Sequence, residues 1–215
     1  DDQFVILDGA NRVHSFAALE YPHILVQVVG YDQQVELSNW QHVVTSWNED
    51  EFIRYLRQIP EIVLDEDHDT IAKIQLRSGQ MITVCAPVND LHERNALLRQ
   101  VVAVYQKNAR LQRTAQHQPD EIWQQYPDAI ALVIFPPYLP DDIIAAAEQQ
   151  AYLPPGISRH IVQGRALRVN YPLAALRDTN ASLAQKNRDL QHWIQARLAN
   201  RQVRYYAEAT YQFDE

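Results

Sequence analysis

Five residues near the start of the chain, Asp8, Gly9, Ala10, Asn11 and Arg12, have the types and spacing of an anion site. The apolar run Phe4, Val5, Ile6, Leu7 leads into Asp8 and Gly9, and an apolar pattern at helical spacing (Val13, Phe16, Ala17) begins at once. A strand-turn-helix of that kind exposes helix N-terminal amides that have no intrahelical acceptor. Gly9 lets a ligand approach the backbone, Asp8 can cap the helix or hold a metal or a hydroxyl, and Arg12 adds a forked donor suited to phosphate or carboxylate. A capped turn with a solvated arginine would read the same way, so these five residues alone leave both readings open.

A second group lies far along the chain. Pro154 and Pro155 restrict a loop, Gly156 permits a sharp turn, and Ser158, Arg159 and His160 then present a hydroxyl, a guanidinium and an imidazole in succession. Arg159 can take a carboxylate with two parallel N–H groups while its neighbours add polar contacts. The alternative is a structural loop with a salt bridge. Trp40, in the segment Leu37-Ser38-Asn39-Trp40-Gln41-His42, is of the type that walls a small-ligand pocket or packs in a core.

Charge narrows the class of partner. The net charge is −8, but residues 1–69 hold 14 acids against three arginines, a net −11, while the remainder carries +3. A uniformly basic nucleic-acid binder is excluded. Residues 152–177 contain Arg159, Arg165, Arg168 and Arg177 with no acid, which suits a local anion site. The single cysteine, Cys85, lies in an apolar run and reads as a buried reduced thiol, so neither an intrachain disulfide framework nor a Cys-rich zinc site is available. The sequence shows no signal peptide and no membrane-length apolar stretch, which points to the cytoplasm. The acids around His68 (Asp65, Glu66, Asp67, Asp69) read as a solvated loop, since no regular ligand spacing accompanies them.

The elements that must position these residues follow from periodicity and turn signals. A strand over residues 3–7, a helix over 11–19 and a strand over 23–29 give a βαβ-like opening. A helix over 52–59 follows the acidic start Glu49, Asp50, Glu51. Residues 70–76 and 80–86 alternate around Ser78-Gly79 as a hairpin, and residues 91–108 form a long amphipathic helix. Helices over 119–126, 140–150 and 182–200 and strands over 129–135, 165–170 and 203–213 complete the reading. The shift in pattern near residue 48 predicts two parts, 1–47 and 48–215, packed closely together.

Taken in order, these segments resemble the ParB/sulfiredoxin-like family, and within it the free L-serine kinases. Residues 6–12 stand in the place of the family's Asp-Gly-X-His-Arg phosphate loop. Residues 37–42 resemble its Trp segment, and residues 155–173, with Pro155-Gly156-Ile157-Ser158-Arg159 and Gly164-Arg165-Ala166-Leu167-Arg168, resemble its C-terminal substrate loop. The resemblance covers nearly the whole chain. It implies a mixed α/β (α+β) fold, with a ParB/sulfiredoxin-like nucleotide-binding domain over 1–47 and an α+β substrate-binding subdomain over 48–215. It implies ATP or ADP with Mg2+, transfer of a phosphoryl group to free L-serine, and O-phospho-L-serine as product. Asp8 would then serve catalysis, Gly9, Ala10, Asn11 and Arg12 the nucleotide phosphates, and Trp40, Ser158, Arg159 and His160 the amino acid.

Two departures accompany the resemblance. Asn11 stands where the family has His, which keeps a hydrogen-bonding side chain but not a cation. The family's catalytic Glu lies upstream of the phosphate loop, and only seven residues precede Asp8, so either a preceding segment supplies it or this relative is not a kinase. A regulator that senses nucleotide or amino acid, with a DNA-binding role, is the alternative that the same family implies. A sulfiredoxin activity is disfavoured because no cysteine occupies the phosphate loop.

Overall fold

Residues 41–45 are buried at all five positions, the burial expected of a strand covered on both faces and paired on both edges. The computed structural model, which describes residues 4–66 and 68–205, places them inside a sheet. In chain order the elements are α1 (Ala10–Ala18), α2 (Tyr31–Gln34), β1 (Val35–Asn39), β2 (Gln41–Thr45), α3 (Glu49–Leu56), β3 (Val63–Leu64), β4 (Thr70–Leu76) and β5 (Met81–Cys85). They continue with α4 (Leu91–Asn108), β6 (Arg110–Thr114), α5 (Pro119–Gln125), β7 (Ala129–Ile134), α6 (Pro140–Glu148), β8 (Ser158–Val162), α7 (Leu173–Arg177) and α8 (Leu183–Ala199).

Six strands form an antiparallel sheet in the order β3-β5-β4-β7-β2-β6, and β1 pairs with β8 in a separate two-stranded sheet. The hairpin β4–β5 turns at Gly79, whose φ of 96° suits glycine. Helices α3 and α4 supply the other side of the core. Phe52 and Leu56 from α3, with Leu98, Val101, Val102 and Tyr105 from α4, are fully or almost fully buried with Val44, Ile74, Leu76 and Ile82 from the strands. Each large side chain buried this way contributes about 1.5–3 kcal/mol. Three helices begin where a side-chain cap ends the preceding segment: Asn48 accepts from the Glu51 N–H, Asp90 from that of Glu93, and Ser182 from that of Gln185.

The helix over residues 91–108 and the β4–β5 hairpin form where periodicity places them, and α1, α3, α5, α6 and α8 agree within a few residues. The βαβ opening does not form. Residues 4–7 and 23–29 are not strands, because an extended run becomes one only when its backbone finds a ladder. Val26 and Val28 stay exposed there, and Gln27 instead docks its run by its side chain, donating to the Gly164 carbonyl and accepting from the Ala166 N–H. The strand expected over 165–170 fails for a clearer reason: Arg168 and Asn170 have positive φ, which breaks an extended run. Of the strand expected over 203–213, residues 203–205 are irregular and the rest lie outside the described residues.

By compactness the described residues form two discontinuous units. Among the described residues, one comprises residues 4–5 and 31–161, the other residues 6–30 and 162–205. A cut after residue 47 would strip β2 from its neighbours β6 and β7 in the sheet. The first unit holds the six-stranded sheet with α3 and α4. The second holds α1, α7 and α8, with Tyr171 edge-on to Trp193 at 5.5 Å and Lys186 donating to the Leu176 carbonyl at 2.7 Å. Among the described residues no helix is long and apolar enough to cross a membrane.

Candidate functional site

The expected site residues fall into two groups, one in each unit. In the second unit, Gly9 caps α1 with φ 86°, and the Asp8 Oδ1 accepts from the Gly9 N–H at 2.8 Å. Ala10 and Asn11 are the first two residues of α1, so the amides of its first turn have no carbonyl of a preceding turn to reach. The Arg12 guanidinium folds back beside this turn: a Cβ built on Gly9 would lie 3.1 Å from an Arg12 nitrogen. Asp8 Oδ2 is 3.6 Å from Arg12 and also pairs closely with Arg165. The turn therefore carries a carboxylate with two guanidinium partners on a helix N-terminus. Arg165 stood out in the sequence as one arginine of an acid-free stretch and as part of the segment that resembles the family's substrate loop, not as a partner of Asp8. Its place is set by Gln27, which bonds the residues on either side of it.

In the first unit, the loop after Pro155 delivers Arg159 and His160 on β8, paired with β1. Ser158 is the first residue of that strand. The Arg159 guanidinium carbon lies 4.6 Å from the centre of the Trp40 ring, a cation–π stack. A guanidinium over an aromatic face carries its N–H donors in its own plane, where they can meet a carboxylate. The next residue, His160, shares a 2.9 Å hydrogen bond through Nε2 with the Tyr31 hydroxyl. Burial pushes the Tyr31 phenol up to about 12, so it stays protonated. Tyr31 carried no signal in the sequence, since it follows a run with no regular element and lies 129 residues from its partner.

Beneath these residues is a buried polar pair that sequence reasoning also missed as a site element. His42, fully buried on β2, has Nδ1 2.7 Å from the Tyr105 hydroxyl and Nε2 2.9 Å from the Gly156 carbonyl. Burial lowers its pKa to about 4, with the nearby charge of Arg113 acting in the same direction and the Gly156 hydrogen bond opposing it. A neutral ring must then donate from Nε2 to the carbonyl and accept at Nδ1 from tyrosine. Cys85 is buried, as its apolar run predicts. Among the described residues no group of three or more His, Cys, Asp or Glu is placed to hold a metal; His68 pairs with Glu66 and Asp69 on the surface instead.

No family model matches the sequence. The chain is 25% identical to the ATP-dependent L-serine kinase SbnI of Staphylococcus aureus, over 97% of this chain and 78% of that protein. The solved structure of SbnI with a C-terminal truncation superposes with a TM-score of 0.63 at 22% identity, covering 91% of this chain and 76% of that one. Free serine kinase in complex with AMP gives 0.58 at 12% identity, covering 73% and 67%. The fold is that of the free serine kinases. A conserved hypothetical protein of Pyrococcus furiosus has the same fold, with a TM-score of 0.57 at 13% identity over 73% of this chain and 69% of that one. The likeness to SbnI extends over 97% of this chain.

Proposed function

We propose that this protein is a nucleotide-dependent kinase that transfers a phosphoryl group to the hydroxyl of free L-serine. The observation that carries the reading is the guanidinium of Arg159 over the Trp40 ring, beside an imidazole held by Tyr31. A planar fork fixed on an aromatic face suits a small carboxylate better than a flexible point charge does. His160 and Ser158 supply the further polar contacts that an α-amino acid needs. The sequence likeness to an L-serine kinase supports serine as the acceptor.

The nucleotide phosphates are assigned to the turn at Asp8, Gly9, Ala10, Asn11 and Arg12. Helix N-terminal amides and a guanidinium neutralise phosphate charge, which is most of what phosphoryl transfer asks of a protein. Asp8 would carry Mg2+ with the nucleotide. One carboxylate beside a phosphate loop, with no preformed cluster of ligands among the described residues, fits a Mg2+ carried mainly on substrate phosphates. Such an ion would add charge neutralisation on the transferring group. The chain's own part is to bind both reactants and exclude loosely aligned water. Whether the donor is ATP or ADP is read directly by assay. Incubation with serine, Mg2+ and each nucleotide should yield O-phosphoserine with one of them. Failure with both, together with DNA binding that free serine leaves unaffected, would favour the regulatory alternative.

A further inference from the structure

The loop that delivers Arg159 has little of its own to hold it. Pro154 and Pro155 have no N–H, so an anchor by backbone donation is removed at two consecutive positions. The loop is held by its carbonyls instead. The Gly156 carbonyl takes the His42 Nε2 hydrogen bond at 2.9 Å, and the Ile157 carbonyl accepts from the Trp40 N–H at 2.7 Å. Two residues later comes Arg159, stacked on the ring of that same Trp40.

We propose that His42 is a positioning residue for the amino-acid clamp: braced by Tyr105, it fixes the Gly156 carbonyl and thereby sets where the Arg159 fork meets a carboxylate. The role rests on the amino-acid reading of the clamp given above. Three surroundings hold the imidazole in one orientation. The Tyr105 hydroxyl on α4 occupies Nδ1, and the Phe135 and Tyr105 rings meet it edge-on at 4.9 and 5.8 Å. Arg113, the cross-strand partner of His42 on β6, packs against Gly156. A Cβ at Gly156 would come within 2.2 Å of the Arg113 guanidinium, and its φ is 83°, so only glycine brings this carbonyl so close. A fully buried imidazole with both nitrogens occupied cannot turn without losing a hydrogen bond that no water replaces.

The test compares His42→Phe, which keeps a ring but removes the donor, with His42→Gln, whose amide restores one. Folding of each variant is checked by thermal melts. Two readouts are taken on the whole chain. The first is the Trp40 ring-current shift of the Arg159 side-chain N–H by NMR, without any ligand. The second is calorimetric affinity for free L-serine, with nucleotide affinity as the control. His42→Phe should erase the ring-current shift and weaken serine about tenfold, the worth of one aligned hydrogen-bonded contact, while nucleotide affinity holds. His42→Gln should recover most of both, whereas a merely structural role would lower the melting temperature and leave the Arg159 shift in place. An unchanged shift and unchanged serine affinity in folded His42→Phe would overturn the proposal. Should that variant not fold, Tyr105→Phe, which deletes only the brace on Nδ1, must move the same signal in the same direction; an unmoved signal overturns the proposal equally. If the wild type binds no serine yet His42→Phe still erases the shift, positioning of Arg159 stands and the amino-acid reading alone falls.

Discussion

The guanidinium of Arg159 and the indole of Trp40 stack at 4.6 Å, joining a loop residue to one 119 positions earlier in the chain. The contact gives each residue a separate job in the proposed clamp. Trp40 supplies a face that fixes the plane of the fork, and Arg159 supplies the charge. Arg159→Ala should weaken free serine by about 1.5–3 kcal/mol, or roughly tenfold to more than a hundredfold, with nucleotide affinity nearly intact. Arg159→Lys should rescue poorly, because an ammonium cannot reproduce two parallel N–H bonds. Calorimetric titration of serine into the three proteins checks both outcomes.

The turn at Asp8 carries the complementary prediction. Arg12→Ala should weaken nucleotide binding by about 1.5–3 kcal/mol while leaving serine affinity unchanged. Most of this loss should disappear for the bare nucleoside, since the residue is assigned to phosphate. Equal losses for nucleotide and nucleoside would remove Arg12 from the phosphate site.

Much of the scaffold was legible because its signals are local. The helix over residues 91–108 starts at the Asp90 cap and presents Leu97, Leu98, Val101, Val102 and Tyr105 at core spacing, and it forms with those bounds. The hairpin turn at Ser78-Gly79 was equally plain. What failed was non-local. Residues 23–29 have strand composition but no ladder, and residues 165–170 are bent by two positive φ values. The proposed site divides in the same way. Trp40, Arg159 and the Asp8 turn were candidates by type and spacing. His42 and Tyr31 were not, because each acts through a partner more than 100 residues away: Gly156 and His160.

The pH dependence of stability follows from His42. Its folded pKa is about 4 against an ordinary 6.5, so between those values the unfolded chain binds a proton that the folded chain refuses. The groups facing it are the Tyr105 hydroxyl, the Gly156 carbonyl and the Arg113 guanidinium, and none stabilises an imidazolium enough to offset burial. Stability from this residue is fully present above about pH 6.5 and is lost as pH falls toward 4, by about 3 kcal/mol in all. Urea melts from pH 4 to 7 should show that slope, and His42→Gln should remove its share while the remaining acid dependence persists.

Gly156→Ala should destabilise the first unit by about 1–3 kcal/mol, since the new methyl group meets Arg113 and the backbone keeps φ 83°. Adding Arg113→Ala relieves the steric part and not the backbone part. Thermal melts of the single and double variants should therefore show partial recovery; full recovery would mean that the positive φ carries no cost here.

The central claim is the reaction itself, and phosphorus NMR reads it without a coupled enzyme. Full-length protein with Mg2+, free L-serine and ATP or ADP should produce the resonance of O-phosphoserine, and Arg12→Ala and Arg159→Ala should each suppress it at subsaturating substrate. A wild-type protein that binds nucleotide but forms no phosphoserine with either donor, and shows no calorimetric response to serine, would contradict the account.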